Sequence, residues 1–303
     1  MRIGRISGRL ALLADDRALD VEKASGGAFS SDPDRVFERW DEFAQWARGR
    51  SLDDATAFTL QQVGPPVLRP AQVFGIGLNY RAHADEAGVK AEIASPTVFT
   101  KFVSSIAGPY DTVTLPSDRV DWEVELVAVI GRRAYGVAEK DAWNHVAGLT
   151  VGQDLSERTV QLDGPVPQFS LGKSYPGFSP IGPALVTVDE FDDPDDLALS
   201  CALDGEALQD GRTGDLIFSV PELIARISAI LPMLPGDVIF TGTPSGVGMA
   251  RSPERYLAPG STLVSTVENI GALINRLAAA PAGPAVGADP GNRRQRKPQG
   301  ART

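Results

Sequence analysis

The chain has 303 residues, with 29 basic and 39 acidic side chains and a formal net charge of −10. Its hydrophobic content of 43% and charged content of 22% are typical of a globular protein with one large core. The acidic balance argues against nucleic acid as the main partner. No apolar run reaches the roughly 20 residues of a membrane helix, and no signal-peptide core is present, so we expect a cytoplasmic protein without a membrane partner. Cys201 is the only cysteine, which excludes an internal disulfide and a thiolate metal site.

Residues 1–68 are predicted to form a small N-terminal region. Two short strands, near residues 10–13 and 18–21, precede a helix over about 33–48. The apolar stripe of this helix indicates packing rather than ligand binding; it consists of Val36, Phe37, Trp40, Phe43 and Trp46. A proline-rich stretch at 64–70 marks a linker.

Residues 69–280 are predicted to form the catalytic domain, and 281–303 a disordered basic tail. Short β-runs punctuated by glycine and proline dominate the domain, and no β-α-β rhythm is visible. One clear helix, over 220–230, carries Leu223, Ile224, Ile227 and Ile230 on one side. We therefore expect a mainly β fold with few helices (α+β), in the form of a sandwich, a roll or a distorted barrel.

The segment from Val120 to Ile130 carries the most chemical information. Its β-branched and aromatic residues predict a buried strand, and Glu123 and Glu125 would then point from the same face. Asp154 follows another apolar run. Three converging carboxylates suit a hard divalent cation, Mg²⁺ or Mn²⁺ rather than zinc. The alternative is an exposed edge strand with two solvated glutamates.

His83 and Glu86 form a second candidate pair, spaced as neighbours on one helical turn. Glu86 can orient the imidazole and raise its basicity, which predicts an acid–base pair. An ordinary surface turn is the alternative. The chain has only two histidines, and His145 lacks such a partner, so we expect His145 to be structural.

Three further segments carry polar groups suited to an anionic substrate. Arg158 and Gln161 follow Asp154 at positions that share one face of a helical turn, although Asp154 could instead be a helix cap with Arg158 exposed. Lys173 lies in a loop rich in glycine and proline, where it could neutralise an enolate or bind a carboxylate. Thr243 lies in another tight loop that leaves a strand.

Taken in order, these segments resemble the fumarylacetoacetate hydrolase family over roughly residues 69–274. The matching motifs are Asn-Tyr-x-x-His-x-x-Glu, Glu-x-Glu, Asp-x-x-x-Arg-x-x-Gln, Gly-Lys-Ser and Thr-Gly-Thr-Pro-x-Gly-Val-Gly. The resemblance implies a mixed β-sandwich roll, usually dimeric, with one Mg²⁺ or Mn²⁺ per subunit. It implies metal ligands at Glu123, Glu125 and Asp154 and catalytic residues at His83, Glu86 and Lys173. It implies substrate contacts at Tyr80, Lys101, Arg158, Gln161 and Thr243.

The resemblance also implies chemistry on a small oxo-acid. The main hypothesis is metal-dependent hydrolysis of a carbon–carbon bond in a 2,4-dioxo acid of the acylpyruvate type, yielding pyruvate or a relative plus a carboxylic acid. The alternative is a metal-dependent decarboxylase or tautomerase of a 3-oxo diacid such as oxaloacetate. A dehydratase and a non-catalytic metal-binding scaffold are further options. Thr159 and the segment at 175–178 depart from the pattern of many relatives near the expected substrate site.

Overall fold

The computed structural model describes residues 1–89 and 92–281 of the chain. Within these residues the chain is built mainly from β-strands, which are named here in chain order. They are β1 Arg2–Ile6, β2 Arg9–Ala14, β3 Arg17–Asp20, β4 Thr56–Ala57, β5 Val63–Gly64, β6 Val73–Gly77, β7 Thr97–Thr100, β8 Ile106–Ala107, β9 Val113–Leu115, β10 Val120–Asp121, β11 Val124–Ile130, β12 Val146–Gln153, β13 Ser156–Glu157, β14 Ser179–Val186, β15 Ala198–Leu203, β16 Glu206–Arg212, β17 Val238–Phe240, β18 Thr262–Val267 and β19 Gly271–Ala279.

The described residues also form short helices between these strands. The α-helices are α1 Val21–Ala24, α2 Trp40–Ala47, α3 Arg81–Glu86, α4 Arg158–Gln161, α5 Phe169–Gly172 and α6 Val220–Ser228. The 3₁₀-helices cover Pro33–Arg39, Leu60–Gln62, Val103–Ser105, Glu139–His145, Val188–Glu190, Thr213–Asp215 and Gly248–Ala250. No helix among the described residues is long and apolar enough to span a membrane.

Three sheets organise the strands. The largest has twelve strands, ten of them in the order β4-β3-β2-β1-β14-β12-β11-β17-β6-β7, with β5 paired to β1 and β8 paired to β14. A five-stranded sheet has the order β16-β15-β18-β19-β9, and β10 pairs with β13. The prediction of a mainly β fold with few helices is confirmed, and the sheets stay open rather than closing into a barrel.

Strand β11 lies in the interior of the largest sheet and is buried on both faces. Leu126 and Ala128 face the core shared with the five-stranded sheet, whereas Val127 and Val129 face a second core that contains the N-terminal strands and α2. All seven residues of the strand are buried. A strand covered on both sides gives a rigid base for any side chain at its end.

The N-terminal residues contribute to the large sheet rather than standing apart from it. Strand β1 pairs with β14 through Arg2 opposite Val186 and Ile3 opposite Leu185. The helix predicted over 33–48 is present as a 3₁₀-helix followed by α2, and Asp32 caps its start. Four of the five apolar residues predicted to pack on this helix are buried, and Trp46 is partly buried. The division at residue 68 stays a prediction, and the predicted tail lies, apart from Pro281, outside the described residues.

The predicted helix over 220–230 is shorter than expected. Helix α6 ends at Ser228, and Ser219 caps its start by accepting from the Glu222 amide. Leu223 and Ile224 are fully buried, but Ile230 lies beyond the helix and is 81% exposed, so its assignment to the apolar face was wrong. The helical register does not extend past the end of the helix, which leaves Ile230 free to turn towards solvent.

We expect Ile224→Ala to lower the free energy of unfolding by about 2–5 kcal/mol, because it removes a side chain packed in the core. Ile230→Ala makes the same chemical change at an exposed position and should stay within about 0.5 kcal/mol of wild type. Urea denaturation of both variants measures the difference. Equal losses in the two variants would contradict the packing described for α6.

Candidate active site

The three carboxylates predicted to bind metal meet at an interruption of the central strand. The predicted strand over 120–130 is divided into β10 and β11, and Glu123 lies in the gap between them. Glu123, Glu125 and Asp154 are all buried, and each offers an oxygen within 4.8 Å of the others. The alternative of an exposed edge strand is therefore wrong.

Lys173 provides the positive charge next to this triad. Its Nζ donates to Glu123 Oε2 at 2.8 Å, to Asp154 Oδ2 at 2.7 Å and to Ser156 Oγ at 2.8 Å. Burial alone would lower the pKa of Lys173. The charges of Asp154 and Glu123 outweigh this effect and raise the pKa above its ordinary value. The ammonium is thus held in its charged form beside two of the three candidate ligands.

Lys101 supports the triad from a fully buried position. Its Nζ donates to Asp154 Oδ1 at 2.5 Å, to the Phe178 carbonyl at 3.2 Å and to the Lys173 carbonyl. Burial lowers the pKa of Lys101, and the charge of Asp154 opposes this change. These bonds engage the ammonium with protein groups and orient Asp154, while the predicted substrate contact of Lys101 stays a prediction.

Arg158 also binds carboxylates of the protein. It donates to Asp121 Oδ2 through Nε at 2.9 Å and Nη2 at 2.7 Å, and Nη2 lies 2.7 Å from Glu123 Oε1. Its Nη1 donates to Gln161 Oε1 at 2.8 Å. The predicted turn is present as α4, and Arg158 is buried in it rather than exposed. Asp154 is not its cap, because the Glu157 side chain accepts from the Val160 amide.

The two glutamates of the triad differ in their electrostatic surroundings. Burial alone would raise the pKa of Glu123. The charges of Lys173 and Arg158 outweigh this effect and lower the pKa to about 2. Burial, and then the charges of Asp154 and Glu123, raise the pKa of Glu125 well above its ordinary value. The positive side chains therefore compensate Glu123 more fully than Glu125.

A glycine-rich loop over residues 241–249 supplies backbone amides to the surrounding carboxylates. Gly242 N donates to Glu125 Oε2 at 2.7 Å, and Gly246 N donates to Glu86 Oε1 at 3.0 Å. Both glycines have positive φ, 103° and 107°. A Cβ at Gly246 would lie 2.4 Å from the Leu208 carbonyl oxygen, so only glycine fits this approach.

Helix α3 presents the predicted acid–base pair. His83 Nδ1 lies 3.2 Å from Glu86 Oε2, which leaves Nε2 as the ring nitrogen available to another partner. Both side chains are largely buried, with 12% of His83 and 20% of Glu86 exposed, and Gly246 N donates to Glu86 Oε1. The pair is therefore present, and it is not an isolated surface turn.

The start of α3 is fixed by buried Asn79. Its side chain donates to the Phe218 and Thr241 carbonyls at 3.0 and 2.7 Å and accepts from the Phe218 amide at 2.9 Å. Leu78, just before it, has a φ of 56°, a conformation that is costly for a branched residue. This network ties α3 to the end of β17 and so to the loop that binds Glu86.

Tyr80 and Thr243, predicted to contact substrate, occupy different settings. Tyr80 is buried and its hydroxyl has no hydrogen-bond partner among the described residues. Burial, followed by the charge of Glu125, raises its pKa. Thr243 Oγ1 is already engaged, since it donates to the Val124 carbonyl at 2.8 Å and accepts from Gln209 at 2.8 Å.

His145, which we expect to be structural, lies with Nδ1 at 3.4 and 3.1 Å from the carbonyl oxygens of residues 132 and 133.

The composition of the donor set fits a divalent cation. Glu123, Glu125 and Asp154 offer only oxygen, the ligand type that Mg²⁺ and Mn²⁺ prefer. Burial of three mutually close carboxylates is unfavourable unless positive charge lies nearby. The positive side chains of the protein compensate the charge of Glu125 less than that of Glu123. A cation held by these three residues would supply that charge.

Several residues of the site were not predicted. Asp121 orients Arg158 and accepts from the Gly248 and Met249 amides at 2.7 and 2.9 Å. Its spacing of two from Glu123 was a signal that could have identified it. Gln153 and Gln209 accept hydrogen bonds from the Glu123 and Val124 amides, but no sequence motif identifies these two glutamines. Their importance depends on contacts between distant parts of the chain.

The family model Fumarylacetoacetate (FAA) hydrolase C-terminal matches residues 72–278, and the chain belongs to this family of enzymes. Enzymes of this family use divalent metals. The resemblance inferred from the sequence motifs is confirmed.

Individual relatives differ in their named activities. The chain is 44% identical over 214 residues to human mitochondrial oxaloacetate tautomerase FAHD2A, covering 70% of this chain and 68% of that protein. It is 51% identical to a Mycobacterium smegmatis protein that carries the provisional name HpcE; that crystal structure matches with a TM-score of 0.88 over 93% of this chain and 100% of the other. Maleylpyruvate hydrolase from Sphingobium sp. SYK-6, solved with manganese(II) and pyruvate, is 26% identical with a TM-score of 0.77, over 93% of this chain and 100% of that one.

We expect Glu125→Gln to abolish saturable Mn²⁺ binding in a calorimetric titration, because it removes a charged ligand. At a metal concentration 100-fold above Kd, a bound cation stabilises the folded state by about 2.7 kcal/mol, and the variant should lose this gain. Without metal the variant should be at least as stable as wild type, because it relieves repulsion from Asp154 and Glu123. Glu157→Gln neutralises a buried carboxylate outside the triad and should keep wild-type Mn²⁺ affinity. Unchanged affinity in Glu125→Gln would remove that residue from the ligand set.

Proposed function

We propose that the protein is a divalent-metal-dependent tautomerase that interconverts the keto and enol forms of a 2-oxo diacid such as oxaloacetate. The observation that carries the proposal is the 44% identity to the human oxaloacetate tautomerase over 70% of this chain. The buried triad with Lys173 beside it, and the His83–Glu86 pair held by the same 241–249 loop as Glu125, are consistent with enolate chemistry.

Glu123, Glu125 and Asp154 would hold Mg²⁺ or Mn²⁺. When bound, such a cation polarises the oxygens of a chelating oxo-acid and stabilises negative charge as it develops. Lys173 places a second, permanent positive charge beside the same carboxylates. Fixed charges in a buried site need little rearrangement during the reaction, which is the main source of their catalytic effect.

His83 would move the proton. Tautomerisation removes a proton from carbon 3 of the substrate and adds one to the 2-oxo oxygen, so a single base can serve both atoms in turn. Because Nδ1 faces Glu86, the ring would act through Nε2. Glu86 is itself held by the Gly246 amide, which keeps the imidazole in one orientation.

Hydrolysis of a carbon–carbon bond in a 2,4-dioxo acid is the second candidate. It is supported by the likeness to maleylpyruvate hydrolase. In that reaction His83 Nε2 would remove a proton from water instead of from substrate carbon, while the carboxylate triad and Lys173 would keep the same functions. The two reactions therefore differ in the atom from which the base removes a proton, and they would use the same cation-binding site.

A direct comparison of substrates distinguishes the two. Metal-free protein is supplied with Mg²⁺ or Mn²⁺ and assayed with enol oxaloacetate by ultraviolet absorbance, and with a panel of acylpyruvates for release of pyruvate. We expect metal-dependent ketonisation of oxaloacetate that a chelator abolishes and added metal restores. A higher kcat/KM for cleavage of any acylpyruvate would favour hydrolysis instead, and carbon dioxide release from oxaloacetate would indicate decarboxylation.

We expect His83→Ala to reduce the tautomerisation rate by about 10²–10⁴-fold at saturating metal, because the base that moves the proton is lost. Glu86→Gln should have a weaker effect, since it keeps the imidazole but removes its charged partner. His145→Ala, which alters the other histidine of the chain, is the matched control and should be close to wild type. A near wild-type rate in His83→Ala would exclude the proposed base.

We also propose that the protein is a homodimer. Large apolar side chains lie exposed on β7 and the segments that follow it, and Leu171 lies exposed on α5; Val98, Phe102, Val103 and Leu171 are each 45–65% exposed. These elements are adjacent, because the Phe102 amide donates to Ser174 Oγ at 3.0 Å and the rings of Phe99 and Phe169 lie 5.7 Å apart. A cluster of this kind is typical of an interface between chains.

The dimer is tested by light scattering on purified protein. We expect Leu171→Lys to lower the particle mass from two chains to one, because it places a charge in the apolar cluster. Ile230→Lys introduces the same charge at an exposed apolar residue elsewhere and should leave the mass unchanged. A single-chain mass for wild type would contradict the proposal.

A further inference from the structure

The candidate metal ligands lie where an antiparallel ladder is interrupted. Strands β10 and β13 pair with Asp121 opposite Ser156, and β11 and β12 pair with Val124 opposite Gln153. The two ladders have the same register, but Trp122 and Glu123 lie outside both of them. One backbone hydrogen bond crosses this gap, in which the Asp154 amide donates to the Glu123 carbonyl at 2.9 Å.

Side-chain oxygens accept from three successive backbone amides at this gap. Trp122 N donates to Asp121 Oδ1 at 2.8 Å, Glu123 N to Gln153 Oε1 at 2.9 Å and Val124 N to Gln209 Oε1 at 3.0 Å. All these groups are buried. An unpaired buried amide is costly, so these acceptors stabilise the backbone of this segment.

The two glutamines are themselves anchored, and both anchors involve the five-stranded sheet. Gln153 Nε2 donates to Ser265 Oγ of β18 at 2.8 Å. Gln209, on β16, donates through Nε2 to Thr243 Oγ1 at 2.8 Å and to the Pro244 carbonyl at 2.9 Å. Each carboxamide uses its oxygen for a backbone amide and its nitrogen for an acceptor, so its orientation is determined by its partners.

We propose that Gln153 and Gln209 are positioning residues that hold the segment from Glu123 to Glu125 in the conformation in which its carboxylates converge with Asp154. The inference rests on the proposed cation-binding role of these carboxylates. Neither glutamine belongs to the carboxylate triad. They act through the amides of Glu123 and Val124, and loss of these acceptors would release the backbone that carries the Glu123 carboxylate.

The test measures Mn²⁺ affinity by calorimetric titration of metal-free protein, together with the midpoint of thermal unfolding without metal. Gln209→Met and Gln153→Met remove the amide acceptors at similar side-chain volume. We expect each to weaken Mn²⁺ binding by about 10–100-fold, the range usual for residues that orient metal ligands. Gln72→Met is the matched control: it removes bonds to the Pro232 carbonyl and Asp237 outside this segment and should keep wild-type affinity.

A milder variant guards against loss of folding. Ser265→Ala leaves Gln153 in place but removes the oxygen acceptor of its amide nitrogen, whose other acceptor is Cys201 Sγ at 3.4 Å, and should weaken Mn²⁺ binding less than Gln153→Met does. Wild-type affinity in both Gln153→Met and Gln209→Met, or in Ser265→Ala if the methionine variants do not fold, would overturn the positioning role. Absence of Mn²⁺ binding by wild type would instead overturn the cation-binding function on which it rests.

Discussion

The structure depends on the burial of three carboxylates within 4.8 Å of one another. Charged groups of like sign are very unfavourable in an apolar interior, and the surrounding residues reduce this cost in different ways. Lys101 and Lys173 bind Asp154, while Arg158 binds Glu123. Much of the polar chemistry of the core therefore compensates the negative charge of the proposed cation-binding site.

The scaffold holds this charge by combining rigidity with a local departure from regular structure. Strand β11 is buried on both faces, so its backbone is fixed. The ladder is interrupted just before it, and side-chain oxygens accept from the amides of residues 122–124. A local departure from regular pairing is expected at a functional site.

The loop over 241–249 connects the two parts of the proposed mechanism. Its amides bind Glu125 of the proposed cation site through Gly242 and Glu86 of the proposed acid–base pair through Gly246. Asp121, which orients Arg158, is held by the same loop. A family that performs tautomerisation and hydrolysis can keep this framework, because both reactions need an enolate stabilised beside a positioned base.

The amino-acid sequence by itself determined the family and the mainly β fold, and it identified the carboxylates that meet at the site. Glu123 and Glu125 share a face by their spacing, and His83 and Glu86 are neighbours on a helical turn, because local periodicity sets both relations. Tertiary structure alone decided the break before β11, the engagement of Arg158 and Lys101 with protein carboxylates, and the contacts of Gln153 and Gln209. It also decided that Ile230 is exposed. These features depend on which distant segments meet, and a hydrogen bond across 85 residues, such as that between Val124 and Gln209, leaves no periodic signal in the chain.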